Sequence, residues 1–147
     1  MMIPRIRQIP SPKRIDLHCH SNASNEAGEA VLNAINCPES YSQPIEVYKQ
    51  AKARGMDFVA LTDHDCIEGA LQLSEKKDVL VGEEMTCFFP EDRCKIHVLV
   101  WGIDQKHHEQ LQQRANDIYA LAEYIERHRL AHAVAHPLYR QNGKLDR

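Results

Sequence analysis

Two short runs of this chain are rich in side chains that bind metal ions. Residues 16–20 have the sequence DLHCH, and residues 62–65 have the sequence TDHD. Because alternate side chains of an extended strand share a face, we expect His18 and His20 to project side by side, with Asp16 in line behind them. Imidazole nitrogen combined with carboxylate oxygen suits zinc, manganese or iron. The first hypothesis is therefore a hydrolytic site built on several metal ions.

The elements that must position these residues alternate between strands and helices. The sequence pattern predicts strands at 14–18, 57–62, 78–82, 96–101 and 130–135, and helices at 44–54, 67–73 and 106–129. This alternation is typical of a parallel α/β fold, either an open sheet or a barrel, whose sites lie at the carboxyl ends of the strands. Five candidate side chains fall at or just past such ends: His18, His20, His64, Glu84 and His136.

Four other polar residues are interpreted from their neighbours. His97 lies inside an apolar predicted strand, so it is either a metal ligand or a hydrogen-bonded core histidine. We expect His107 and His108 to begin the long helix on its exposed side, and Glu83 to be a solvated neighbour of Glu84.

Composition excludes several classes of protein. A net charge of −3 gives no basic footprint for sequence-independent nucleic-acid binding. No apolar run approaches the roughly 20 residues of a membrane-spanning helix. The five cysteines are odd in number and contain no Cys-x-x-Cys pair, which favours reduced thiols in a cytoplasmic protein. We predict an exposed leader at 1–13 and one domain at 14–147, and leave the oligomeric state open.

The motifs resemble, in order, those of the PHP domain family, named for DNA polymerases and histidinol phosphatase. The likeness is to its stand-alone metal-dependent phosphoesterases. The matching segments are DLHCHS at 16–21, TDHD at 62–65, GEE at 82–84, IHV at 96–98 and AHP at 135–137. The resemblance covers residues 14–140. It implies a distorted (β/α)7 barrel that holds two or three divalent ions, with zinc, manganese and iron as candidates.

The resemblance also implies a set of ligands. His18 and His20 would hold one ion, which Glu84 would bridge to a second ion. The choice of Glu84 over Glu83 rests on the family's Gly-x-Glu spacing alone. His97 and His136 would complete the second ion's site. His64 would belong to a third ion.

Other residues would support the ions or the reaction. Asp16 and Asp63 would accept hydrogen bonds from the N–H groups of ligating histidines. Asp65 is a candidate acid for the leaving group. Arg140 would bind a substrate phosphate through two parallel hydrogen bonds.

The chain departs from the family pattern in two places. Where the family usually has a further ligand after His20, this chain has Asn25, and Glu26 is the nearest possible substitute. The family closes its site with an Asp-x-His motif on a late strand, and no such motif stands between His136 and Arg147. We therefore expect the N-terminal portion of such a domain, about its first four or five β/α units.

Three functions compete at this stage. The favoured one is a phosphoesterase that hydrolyses a phosphate ester of a small molecule or nucleotide through a metal-activated water. The alternative is a non-catalytic or truncated metal-binding module without turnover. A metal-dependent amidohydrolase shares the His-x-His start, but it would usually require a metal-bridging lysine after a strand, and the sequence offers no such placement.

Overall fold

A computed structural model of the chain describes residues 11–24 and 40–138. Within these ranges no helix is both long and apolar enough to cross a membrane. The described residues form five strands and four helices, in this order along the chain: β1 (Ile15–Cys19), α1 (Pro44–Ala53), β2 (Phe58–Leu61), α2 (Glu68–Leu71), β3 (Val79–Phe88), β4 (Lys95–Trp101), α3 (Gln105–Gln112), α4 (Ile118–His128) and β5 (Ala131–Val134).

The five strands form one curled sheet, a half-barrel, in the order β1-β2-β3-β4-β5. The predicted α/β class is confirmed in this coarse form. Strands β1, β2 and β3 are parallel to one another, whereas β4 and β5 run antiparallel to their neighbours. The prediction of a parallel arrangement throughout is therefore wrong at β4, which runs opposite to the other four strands and so makes both of its pairings antiparallel. The reason is that β3 continues as far as Phe88 and returns through a short turn, which joins antiparallel strands only.

Helix α1 begins at the predicted residue and ends one residue before the predicted end. Pro44 occupies the first turn, where its missing N–H costs nothing. The N–H of Gln43, the N-cap residue, donates to the Glu46 carboxylate at 3.0 Å. Gly55 has φ +82°, a conformation that glycine adopts readily, and it stops the helix before β2.

The helix predicted at 106–129 is two helices. Helix α3 ends at Gln112, and α4 begins at Ile118. Asp117 caps α4, since its carboxylate accepts from the N–H groups of Tyr119 and Ala120 at 3.0 and 3.2 Å. The apolar spacing continues across the break, but an aspartate that satisfies free N–H groups favours a helix start over a helix interior.

The hydrophobic core lies on one face of the sheet. Met85, Cys87, Val98 and Val100 of β3 and β4 pack in one buried cluster with residues of α3 and α4. Because strand side chains alternate, the intervening residues lie on the opposite face, here called the inner face. The inner face carries Gly82, Glu84 and Thr86 on β3 and His97, Leu99 and Trp101 on β4.

Gly69 of α2 lies against the loop that follows β1. A Cβ at this position would overlap Asp63 Oδ2 and would lie 2.7 Å from Ser21 Oγ. Although alanine normally stabilises a helix relative to glycine, we expect Gly69→Ala to lower the free energy of unfolding by about 1–3 kcal/mol. Urea denaturation measures this loss. Gln72→Ala, at an exposed residue just after the same helix, is the control and should change stability little; a stabilised Gly69→Ala protein would contradict the packing described.

Candidate metal centre

Glu84 lies at the centre of a cluster of histidines on the inner face. It is 1% exposed and occupies the middle of β3, not its end as predicted. Its Oε2 lies 2.6 Å from His18 Nε2 and 2.9 Å from His20 Nε2. Its Oε1 lies 2.9 Å from His97 Nδ1 and 2.8 Å from His136 Nε2. Each carboxylate oxygen therefore contacts its own pair of histidines.

His64 lies between the two pairs. Its Nε2 is 3.8 Å from Glu84 Oε2, and its ring centroid is 4.8 Å from the ring of His20 and 4.8 Å from that of His97. It follows β2, and a bridge pairs its backbone with that of Glu84. The structure thus brings all six predicted ligands together: His18, His20, His64, Glu84, His97 and His136.

The cluster is buried on one side and open on the other. The side chains of His64 and His97 are 3% and 4% exposed, whereas those of His18 and His136 are 34% and 38% exposed. A molecule that reaches the cluster from solvent would therefore meet His18 and His136 first.

A β-bulge in β1 changes the expected position of Asp16. The pairing advances three residues on β1, from Asp16 to Cys19, while it advances only two on β2. Asp16 therefore shares a side with Cys19, and both line a groove against α1. The pKa of the Cys19 thiol is raised to about 12. Burial is the main cause, and the hydrogen bond with Asp16 adds to it. The prediction that Asp16 lies in line behind His18 and His20 is wrong, because simple alternation ignores the bulge.

Asp63 fixes the backbone that follows His20. It is 1% exposed, and its carboxylate accepts from both the N–H and the hydroxyl of Ser21, the latter at 2.8 Å. These contacts join the loop after β1 to the loop after β2. Its predicted role as an acceptor for a ligating histidine stays a prediction.

Ser24 is a site residue that the sequence analysis missed. Its Oγ accepts from the His64 N–H at 2.9 Å and lies 3.3 Å from His20 Nδ1. When His20 donates its Nδ1–H to this oxygen, its Nε2 keeps a lone pair for the cluster. The only signal in the sequence was a serine four residues after His20.

Asp65 joins the loop after β2 to β3. Its Oδ1 accepts from the Thr86 N–H at 2.7 Å, and its own N–H donates to the Glu84 carbonyl at 3.1 Å. Its φ of +52° lies in the left-handed region, which aspartate and asparagine tolerate better than most residues. These contacts hold the backbone around Glu84, and the predicted catalytic role of Asp65 stays a prediction.

We expect Asp65→Ala to destabilise the fold by about 2–4 kcal/mol, because it removes a hydrogen bond to a charged acceptor and places alanine at positive φ. Asp65→Asn keeps an acceptor oxygen and tolerates the same backbone, so its loss should be under about 1 kcal/mol. Thermal and urea unfolding measure both variants. Equal losses in the two variants would contradict this account of Asp65.

The residue next to Glu84 has an unexpected environment. Glu83 is fully buried on the helix side of β3, and its Oε2 lies 2.9 Å from His108 Nδ1 and 2.8 Å from Gln112 Nε2. The hydrogen bond with Glu83 raises the pKa of His108, although burial acts in the opposite direction. The predictions of a solvated Glu83 and an exposed His108 are wrong, because the α3 face that carries His108 and Gln112 packs on β3.

Arg140, Asn25 and Glu26 lie outside the described residues.

The electrostatics keep the central carboxylate charged. Burial alone raises the pKa of Glu84, but hydrogen bonds with His18, His20 and His97 outweigh it and hold that pKa well below its usual range. Burial lowers the pKa of His97, against the raising influence of Glu84. A charged carboxylate and a neutral imidazole are the forms that bind metal ions.

The arrangement of atoms fits divalent ions. His18 Nε2, His20 Nε2 and Glu84 Oε2 all lie within 2.9 Å of one another, so three potential metal ligands converge on one point. A second group of potential ligands combines His64, Glu84 and His97. Buried His97 Nε2 has no hydrogen-bond partner among the described residues. Five imidazoles around one carboxylate suit zinc, manganese or iron.

Sequence comparisons relate part of the chain to a known protein. No model of a known protein family matches the chain. An uncharacterized protein of Methanocaldococcus jannaschii is 32% identical over 77 residues, which are 49% of this chain and 43% of that protein. The chain therefore spans less than half the length of this relative.

Two solved structures superpose on part of the chain. A proposed metal-dependent phosphoesterase from Bifidobacterium adolescentis superposes with a TM-score of 0.50 at 22% identity, over 72% of this chain and 34% of its own. An amidohydrolase from Chromobacterium violaceum, with bound sulfate and no metal, gives a TM-score of 0.45 at 28% identity, over 69% and 34%. The first likeness shows a shared fold, and the chain spans about a third of either protein.

Proposed function

We propose that this chain is part of a metal-dependent hydrolase that acts on phosphoric esters, with a small phosphorylated molecule such as a nucleotide as its substrate. The observation that carries the proposal is the convergence of five histidines on the two oxygens of Glu84. The order of the motifs along the sequence supports the phosphoesterase class.

The two oxygens of Glu84 would divide the cluster into two half-sites. The first half-site, formed by His18, His20 and Glu84 Oε2, would hold one ion. The second half-site, formed by His97, His136 and Glu84 Oε1, would hold another, and a cluster of three ions would also use His64. When bound, such ions lower the pKa of a coordinated water and neutralise charge on phosphate oxygens.

The chain's own residues would hold and orient the reacting groups. Glu84 stays anionic beneath the histidines and supplies the charge that retains cations at a buried position. Ser24 and Asp63 fix the loops that present His20 and His64. The exposed side at His18 and His136 would admit the substrate.

Two predicted catalytic residues belong to this proposal. Asp65 would give a proton to the leaving group, which its place directly after His64 supports. Arg140 would bind the phosphate in its forked geometry, which its place four residues after His136 supports.

We further propose a PHP-type (β/α)7 barrel, to which this chain contributes the first β/α units, in a cytoplasmic protein. The curled sheet and the motif order support the barrel. Thiols at Cys19, Cys66 and Cys87 rather than disulfides support a reducing compartment.

Metal analysis of the purified 147-residue chain, together with hydrolysis of an aryl phosphate, tests the proposal. We expect about two ions per chain and phosphate release that requires added manganese or zinc. An aryl amide serves as the matched substrate for the amidohydrolase class and should not be cleaved. Bound metal without turnover would support the non-catalytic module instead, and a chain without bound metal would contradict both functions.

A further inference from the structure

The single tryptophan of the chain connects two strands that are not neighbours. Trp101 is the last residue of β4, and its indole Nε1–H donates to the Leu17 carbonyl of β1 at 2.8 Å. Strands β2 and β3 lie between β1 and β4 in the sheet. The indole therefore crosses the inner face and joins the two sides of its curl.

Gly82 provides the room for this crossing. It pairs with Trp101 across β3 and β4. A Cβ at position 82 would lie 2.7 Å from the Val100 carbonyl oxygen and 3.0 Å from Trp101 Cδ1. The Val100 carbonyl and the indole thus occupy the space that a larger side chain at position 82 would need.

The hydrogen bond falls at the bulge of β1. Leu17 and His18 are the two residues that the pairing leaves between Asp16 and Cys19, opposite a single residue of β2. A bulge interrupts the ladder of backbone hydrogen bonds, so its peptide groups need other partners to keep a fixed orientation. β1 is also an outermost strand of the described sheet, with no described strand on its other side.

We propose that Trp101 is a positioning residue for the first half-site. Its indole N–H fixes the Leu17 carbonyl, and this holds the bulge at the rotation that directs His18 Nε2 to Glu84 Oε2, 2.6 Å away. The inference rests on the proposed function, because it takes this half-site to bind a divalent ion.

The first test separates the hydrogen bond from the packing of the ring. Trp101→Phe keeps an aromatic ring but lacks the N–H. Because Trp101 is the single tryptophan, a benzothiophene analogue that keeps the indole shape without the N–H can replace it selectively. Isothermal titration calorimetry measures the zinc affinity of both replacements in the full chain. The affinity for one ion should fall about tenfold to a hundredfold, and the affinity for the other should stay unchanged.

The second test uses the fluorescence of Trp101 in the otherwise unchanged protein. Zinc is not a redox quencher, so a change of emission during titration reports a change around the indole. We expect zinc to alter the emission of the wild-type chain and to leave that of His18→Ala unaltered. His132→Ala, at an exposed histidine of β5, is the control and should behave as the wild type.

The outcomes separate this inference from the proposed function. If the wild-type chain binds no zinc, or if His18→Ala binds as much as the wild type, the proposed function fails. If His18→Ala loses one ion while both Trp101 replacements keep full affinity at both ions, the positioning role fails and the proposed function stands. Should Trp101→Phe not fold, the benzothiophene analogue alone decides.

Discussion

Glu84→Gln should strongly weaken metal binding by the histidine cluster. Both half-sites share the Glu84 carboxylate, and a neutral amide supplies neither the negative charge nor two equivalent acceptor oxygens. Removing one charged member of a buried cluster costs about 3–5 kcal/mol, which corresponds to metal affinity about 10²–10⁴-fold weaker. Elemental analysis of the purified variant and calorimetric titration with zinc measure the loss.

Glu83→Gln is the matched control, because it makes the same change one residue earlier on the other face of β3. It should keep its bound metal, although it weakens the contacts of Glu83 with His108 and Gln112. If Glu83→Gln lost as much metal as Glu84→Gln, the effect would come from a disturbed strand. The assignment of Glu84 as the shared ligand would then be wrong.

His18→Ala should remove one ion and leave the other in place. His18 contacts only the Oε2 side of Glu84, whereas the second half-site is built on Oε1. Metal content should therefore fall from about two ions to about one per chain, as expected of a two-metal site. Native mass spectrometry of the zinc-loaded variant counts the ions directly.

His132→Ala controls for the general loss of a histidine, since His132 is exposed on β5 and its Nδ1 lies 3.0 Å from the carbonyl oxygen of Leu130, just before that strand. It should retain both ions. Unchanged metal content in His18→Ala would remove the first half-site and contradict the proposed function. Loss of both ions in that variant would contradict two separable half-sites.

The ligands were predictable because their spacing is local. His18 and His20 alternate on one short strand, and His64 follows the next buried strand. Glu84 was separated from Glu83 by the resemblance alone, and the structure then placed the two carboxylates on opposite faces of β3. Residue type and strand period therefore sufficed for His18, His20 and His64, whereas the choice of Glu84 required the resemblance.

What the sequence did not predict depends on contacts between distant residues. The bulge that turns Asp16 toward α1 arises from the pairing of β1 with β2 and leaves no mark in the alternation of DLHCH. The antiparallel return of β4 depends on how far β3 extends, and the apolar run ending at Val81 gave no sign of its continuation. The burial of Glu83 likewise requires the docked face of α3.

The break between α3 and α4 shows a competition within one segment. Apolar spacing favoured one helix, while Asp117 favoured a new start. Capping prevailed because the two shorter helices still bury Leu111, Leu121 and Ile125 in the same cluster. Periodicity alone could not rank these two solutions.

Anomalous X-ray scattering at the zinc edge, from crystals of the zinc-loaded chain, tests the central claim most directly. That claim is that Glu84 is the shared carboxylate of a divalent-metal cluster. The account predicts two peaks about 3.5–4 Å apart, each about 2.0–2.2 Å from a different oxygen of Glu84. One peak should lie beside His18 and His20, and the other beside His97 and His136. Zinc bound only by other residues, with no peak at Glu84, would contradict it.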